Sequence, residues 1–393
     1  MSILIIAARE INPLIGGIER VSYTLTQQWI HCGYNVCWLA LEKSRWTSLK
    51  DKELVSQYYL PNSQHVQSDE NITFVLDLID EYNIDFIINQ ATIRDDAIRL
   101  CSAIKKIRTL KLFSVIHFAP RTEHDIAKNN LFLFKDDKSF NNIVKKLVEF
   151  FYFCFVNSKK IKQKEYRTLA CLCETSDRVV VLSEGFISGF KRIYNSDKYQ
   201  AISNPVIAES HPISVKKKQV LYVARIEYGM KRFDRMLDIW AEAGRRFPDW
   251  ELIVVGDGDY LPHFKVLAKK RELHNISFVG FQNPEPYYAS ASILCLTSTT
   301  EGFGMVLIEA MQYGCVPIAY NSYAALSDII EDGVSGYAIT PFDKNEYIAK
   351  LSLLISDAEM RQKMAEKCIE VPKRFSGDFI ASKWIELFEK MKS

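Results

Sequence analysis

What these 393 residues lack narrows the reading first. No apolar run approaches the roughly 20 residues that a membrane-spanning helix requires, so no span is predicted. There is no dominant charge. Fifty Lys and Arg against 48 Asp and Glu leave +2, too weak a field to hold nucleic acid or another polyanion. CxxC, HExxH, GxSxG and GxxxxGK[ST] are all absent. That removes the thioredoxin-like, zincin, serine-hydrolase and P-loop readings. The cysteines number nine, an odd count, and the closest pair, Cys171 and Cys173, has no zinc-ligand spacing. They read as small core side chains in a reducing compartment. The chain enters an apolar strand at once, Ile3 to Ala8, with no basic region before it. No secretory signal is expected, and a cytoplasmic enzyme is the default.

What is present is ordinary globular material. Hydrophobic residues make up 48% and charged residues 25%, enough apolar side chain for sizeable cores. The length suggests two or three domains. Apolar, β-rich runs at 3–8, 35–41, 84–89, 112–117 and 178–183 alternate with helical patterns at 17–32, 70–82, 94–107, 143–156 and 184–194. A second series places strands at 220–224, 250–255, 276–280, 293–297, 316–320 and 336–339. Fully apolar strands alternating with helices imply parallel sheets covered on both faces. The class is therefore α/β, with two Rossmann-like, doubly wound domains. Asn204-Pro205, Pro212 and Lys216-Lys-Lys218 read as the turn and solvated linker between them. Capping boxes are expected at Asp343/Glu346 and Ser356/Glu359. Two such domains usually place a ligand cleft at the carboxyl ends of their strands.

Several positions carry chemistry. Gly16-Gly17 opens a helix just after the first strand, either as a plain turn or as a close approach to an anionic ligand. Arg225 ends one strand and Lys231 starts the following helix. Two cations there suit a diphosphate leaving group, unless they pair locally with Glu227, Asp234 or Asp238. Glu301 falls at a strand-to-helix turn. Glu309, two turns on, has Met305, Val306, Gln312 and Tyr313 as helix neighbours, none of which neutralises it. It needs a partner elsewhere, or an open cleft where a vicinal diol such as ribose donates to both oxygens. His117 closes an apolar strand, a ligand position in an open sheet or a structural histidine. Gly256-Asp-Gly258 lacks the third glycine of a dinucleotide fingerprint, since Leu261 stands there. The overlapping Asp257-Gly-Asp259 could bind a divalent ion, but reads better as a strand-end turn.

Taken together, the chain resembles the retaining glycosyltransferases of family 4, which have the GT-B fold. The resemblance rests on Gly16-Gly-Ile-Glu-Arg-Val21, Ser183-Glu184, Ser203-Asn-Pro205, Tyr222-Val-Ala-Arg225 with Lys231, Val254-Val-Gly-Asp-Gly258 and Phe278-Val-Gly-Phe281. Above all it rests on Glu301-Gly-Phe-Gly304 through Glu309, the family's Glu-x7-Glu, with Pro317 after it. It is strong over about 200–340 and weak over 42–80 and 121–175. Ala224 stands where many relatives have glycine.

The resemblance implies an acceptor-side domain over 1–208, a nucleotide-sugar domain over 209–375, and a final helix, 376–393, crossing back to the first. It implies that Arg225 and Lys231 hold the donor diphosphate. Glu301 and the backbone of Gly302, Phe303, Gly304 and Met305 would hold the donor sugar, and Glu309 the ribose hydroxyls. Gly16 and Gly17 would close on the phosphates, His117 would contact sugar hydroxyls, and Val279 and Phe281 would lie near the base. It implies transfer with retention, no metal and no resident cofactor, from a nucleotide-diphosphate sugar to a sugar or lipid-linked glycan acceptor. Surface polysaccharide or glycolipid assembly is the expected setting. A GT-B sugar-nucleotide epimerase, or a silent nucleotide-sugar-binding protein, are the alternatives.

The pattern fades over 135–167, which holds nine Lys and Arg (Lys135, Lys138, Lys145, Lys146, Lys159, Lys160, Lys162, Lys164, Arg167) against four acids. Between the basic clusters lies the aromatic run Leu147 to Val156. That combination suits an anionic membrane surface at the inner face of the cytoplasmic membrane. The plainer reading is a buried helix beside a solvated basic loop.

Overall fold

The structure, a computed structural model, describes residues 1–12, 16–43, 55–91, 94–130, 147–207 and 215–392. They gather into two compact units that are not separated at a single point of the chain. The first combines Met1–Pro120, Lys162–Ile207 and Phe375–Ser393, and the second combines Arg121–Ile161 and Ala208–Arg374.

The first unit is built on a seven-stranded parallel sheet. Its strands are β1 (Ser2–Ala7), β2 (Asn35–Ala40), β3 (Ser56–Tyr59), β4 (Phe86–Asn89), β5 (Lys111–Ile116), β6 (Arg178–Val181) and β7 (Tyr199–Ala201). Their order is β3-β2-β1-β4-β5-β6-β7. All six residues of β1 are buried, which explains its unbroken apolar run. β1 pairs with β2 on one side and β4 on the other, so the order reverses between β1 and β4. The helix Gly17–His31 covers this region, and the C-terminal helix Gly377–Lys392 packs against it. The Trp384 ring meets Trp29 edge-on at 5.8 Å, and Phe388 stacks on Phe86 at 4.7 Å. Each such buried aromatic contributes about 1.5–3 kcal/mol, so the amphipathic tail is part of this core.

The second unit holds a six-stranded parallel sheet. Its strands are β8 (Lys217–Val223), β9 (Glu251–Val255), β10 (Ile276–Gly280), β11 (Ala291–Leu296), β12 (Val316–Tyr320) and β13 (Tyr337–Ile339), in the order β10-β9-β8-β11-β12-β13. Here the order reverses between β8 and β11. The loops leaving those two strands therefore border the crevice where open α/β sheets bind ligands.

Several local expectations need correction. Lys216 to Lys218 are not a solvated linker. Lys217 and Lys218 open β8, and the Lys216 ammonium donates to the Tyr288 and Ala289 carbonyls, both at 2.9 Å. Residues 208–214 of that linker lie outside the described residues. The Asp343 cap forms, with the Glu346 N–H donating to Asp343 at 3.0 Å. At the next helix the cap is Asp357, which accepts from the Met360 N–H at 2.8 Å. Ser356 instead donates back to the Leu353 carbonyl at 3.4 Å, closing the previous helix. Residues 147–152 are helical, pass through a π turn at Phe153–Asn157 and continue as the helix Ser158–Thr175. The second basic cluster therefore lies on a helix rather than a loop. Lys135, Lys138, Lys145 and Lys146 lie outside the described residues.

Candidate functional site

The strongest grouping of the predicted residues lies in the second unit. After β8 the chain runs through Arg225 to a turn at Lys231 and Arg232. The buried Tyr222 hydroxyl, on β8, donates to the Lys231 carbonyl at 2.8 Å. Thr297 donates its hydroxyl to the Arg232 carbonyl at 3.1 Å, and the Thr299 N–H reaches the Met230 carbonyl at 2.7 Å. Residues 230–232 are thereby stitched to the loop that leaves β11. The ends of the two strands flanking the reversal become one rigid rim.

That stitching brings Lys231 to Glu301. The ammonium donates to both carboxylate oxygens, at 2.7 and 2.8 Å, although the residues are 70 positions apart. Ser298 donates its hydroxyl to the same carboxylate at 2.6 Å. The Glu301 side chain is 7% exposed and that of Lys231 is 21% exposed. None of the local partners weighed for Lys231 takes it. Asp234 pairs with Arg232 at 2.7 Å, and Asp238 with Arg271 at 2.6 Å.

Arg225 is not drawn into this pair. It reaches Glu227 at 3.2 Å, and its side chain is 74% exposed. Glu227 also accepts the Met230 N–H at 3.1 Å, so its carboxylate braces the turn. Glu309, on the helix Met305–Gln312, finds a partner that helix spacing does not supply. The Tyr288 hydroxyl donates to it at 3.0 Å.

The helix begins at Gly304, whose φ of +95° favours glycine. A Cβ there would meet the Tyr323 hydroxyl at 2.5 Å. Gly302 is half-buried and Phe303 fully buried. No side chain caps the helix N-terminus. A carboxylate beside an ammonium, next to an uncapped helix start, offers donors and an acceptor to a ligand that carries both hydroxyl and phosphate groups.

Asp257 to Asp259 has a structural explanation. Gly256 has φ of +136°, and a Cβ there would strike the Ala224 carbonyl oxygen at 1.9 Å. The Ile226 N–H donates to the Asp257 carbonyl at 2.9 Å, and Asp257 accepts the Gly258 N–H at 2.7 Å. The glycines let this turn lie flat on the loop after β8. Next to it, Val279 is half-buried on β10, whereas Phe281 is 77% exposed just beyond the strand.

In the first unit, Gly16 is the extended N-cap of the helix Gly17–His31 and makes no side-chain cap bond. A Cβ at Gly17 would meet nothing within 4 Å, so packing does not demand glycine there. His117 lies at the carboxyl end of β5, where its Nε2 lies 2.5 Å from Gln90 Oε1. An amide oxygen only accepts, so Nε2 carries the proton and Nδ1 presents a lone pair. Nδ1 is buried and has no partner among the described residues. Burial lowers the pKa of the ring to about 4, so it is neutral at pH 7.

Ser298, Tyr288, Gln90 and Tyr323 were not singled out from the sequence. Each is an uncharged side chain in a loop or short helix, and only the tertiary structure shows what it faces.

Two parallel, doubly wound sheets in one chain, each reversing order beside a glycine-opened helix, define the class of paired Rossmann-like folds called GT-B. Comparison with known proteins agrees. Residues 203–371 match the family model described as glycosyl transferases group 1. The chain is 28% identical over 214 residues to an uncharacterized glycosyltransferase of Haemophilus influenzae, covering 53% of this chain and 60% of that protein. It is 30% identical over 176 residues to the amylovoran biosynthesis glycosyltransferase AmsD of Erwinia amylovora, covering 44% of this chain and 48% of that one. The matches thus span about half to three-fifths of these relatives' length. Among solved structures, Anabaena HepE in complex with UDP and glucose superposes with a TM-score of 0.74 at 18% identity, covering 99% of this chain and 100% of that one.

Proposed function

We propose that this protein is a retaining glycosyltransferase that moves a sugar from a nucleotide-diphosphate sugar to an acceptor hydroxyl, in the assembly of a surface polysaccharide or glycolipid. The observation that carries the reading is the part-buried Lys231–Glu301 pair at the strand reversal of the unit that matches the glycosyl transferases group 1 model. The uncapped helix start at Gly304 supports it, as does the UDP and glucose bound by the structurally similar HepE.

In this reading the donor diphosphate lies near Lys231, with Arg225 free to swing from Glu227 onto it. The donor sugar sits against Glu301 and the backbone of Gly302 to Met305. Glu309 takes the ribose hydroxyls and Phe281 lies beside the base. Gly16 and Gly17 admit the phosphates, and the neutral His117 accepts a sugar hydroxyl at Nδ1. The acceptor hydroxyl attacks the anomeric carbon from the face that the diphosphate leaves. The bond from that carbon to the phosphate oxygen breaks as the new glycosidic bond forms. The hydroxyl proton passes to the departing phosphate oxygen. Cations fixed where this negative charge grows lower the barrier.

The same reading takes a lipid-linked glycan as acceptor and an anionic membrane as docking surface. Supporting this, Leu147, Val148, Phe151, Tyr152 and Phe155 are exposed, and Lys159, Lys160, Lys162 and Lys164 follow on the next helix. Thermal denaturation with a panel of nucleotide sugars tests the donor reading. The true donor raises the midpoint by mass action, and a panel with no effect contradicts it.

A further inference from the structure

Tyr323 follows β12, whose carboxyl end neighbours that of β11. It is 6% exposed, and its hydroxyl has no hydrogen-bond partner among the described residues. Buried hydroxyls rarely stay unpaired, because burial strips their water without return. The direction in which this one points is marked by Gly304, since a Cβ built there would fall 2.5 Å from the oxygen. The hydroxyl therefore sits beside Gly304, the residue that precedes the helix Met305–Gln312, whose start no side chain caps. Burial and the nearby Glu301 carboxylate push its pKa well above the ordinary tyrosine value. It stays protonated and acts as a donor in search of an acceptor.

The neighbouring groups indicate which acceptor. Glu301 already takes the Lys231 ammonium and the Ser298 hydroxyl. A helix N-terminus favours an anion, and phosphate oxygens accept without donating. We propose that the Tyr323 hydroxyl donates a hydrogen bond to an oxygen of the terminal phosphate of a nucleoside diphosphate, the phosphate that carries the donor sugar, where it borders the start of the helix Met305–Gln312. The inference rests on the nucleotide-sugar reading above and adds to it a binding residue for the leaving group. A Cβ at 304 would crowd that oxygen, so glycine there leaves the hydroxyl unobstructed on this side.

The test uses the full chain and Tyr323→Phe, which removes one oxygen and keeps the ring. Calorimetric titration with UDP, GDP, ADP and dTDP identifies the diphosphate that the wild type binds. Tyr323→Phe should weaken it roughly tenfold or more, the loss expected for a hydrogen bond to a charged acceptor. The ligand-free melting midpoint of Tyr323→Phe should equal or exceed that of the wild type, because an unpaired hydroxyl has been deleted. A lowered ligand-free midpoint overturns the inference, since the hydroxyl then has a partner within the protein. Equal diphosphate affinity in the two proteins also overturns it while leaving the nucleotide-sugar reading standing. If the wild type binds none of the four, both fall.

Discussion

Replacing Lys231 by alanine separates structural from chemical roles at the proposed centre. The Glu301 side chain is 7% exposed, and its partners are Lys231 and Ser298. Without the ammonium, a buried carboxylate keeps one neutral donor. Breaking a fully buried pair costs about 3–5 kcal/mol. Lys231 is 21% exposed, so water can enter its place, and we expect about 2–3 kcal/mol. In a domain of this size, that lowers the melting midpoint by about 5–10 °C. Turnover should also fall by about 10²–10³, the usual loss for one preorganised charge stabiliser. The double variant Lys231→Met with Glu301→Gln removes the stranded charge. It should recover most of the midpoint while staying inactive. Thermal denaturation and an initial-rate transfer assay on the three proteins give the answer. A Lys231→Ala midpoint equal to the wild type refutes the buried-pair reasoning. Near-normal turnover in Lys231→Ala refutes the placement of the leaving group.

Other consequences are equally direct. Because burial holds the His117 pKa at about 4, the unfolded chain binds a proton there between about pH 6.5 and 4 that the folded chain refuses. This contribution is complete above about pH 6.5 and is lost as pH falls toward 4, up to about 2–3 kcal/mol. Urea midpoints at pH 7.5 and 5 should therefore diverge less in His117→Asn than in the wild type, and equal divergence contradicts the buried neutral ring. With Asp257 committed to its own turn, transfer should survive chelation. Loss of activity with rescue by manganese or magnesium would assign the diphosphate to a metal instead. Co-sedimentation should be stronger with anionic than with neutral vesicles at low salt, and weaker at high salt. No binding to anionic vesicles at low salt removes the membrane-docking reading.

The two doubly wound sheets were legible because central parallel strands are buried on both faces. Runs such as Ile3 to Ile6 and Ile293 to Leu296 therefore carry an unbroken apolar signal. β3 and β7 were not legible. They are edge strands of four and three residues, with polar and half-buried positions that give no comparable run. The helix that carries the second basic cluster is not legible either, because its lysines hide a helical period that runs through the π turn into Ser158–Thr175. Glu301 and Lys231 could each be singled out by position at strand ends. That they hold one another could not, because 70 residues separate them and only the β8–β11 adjacency closes the gap. Tyr288 as the partner of Glu309 depends on tertiary packing in the same way.

The central claim is transfer from a nucleotide sugar through the crevice at Lys231 and Glu301. The most direct measurement follows the identified donor with and without acceptor, recording nucleoside diphosphate release and the anomeric configuration of the product by proton NMR. The account predicts release that depends on the acceptor, a product with the donor's own configuration, and loss of both in Lys231→Ala. An inverted product, an epimerised donor formed without acceptor, or unchanged transfer in that variant would contradict it.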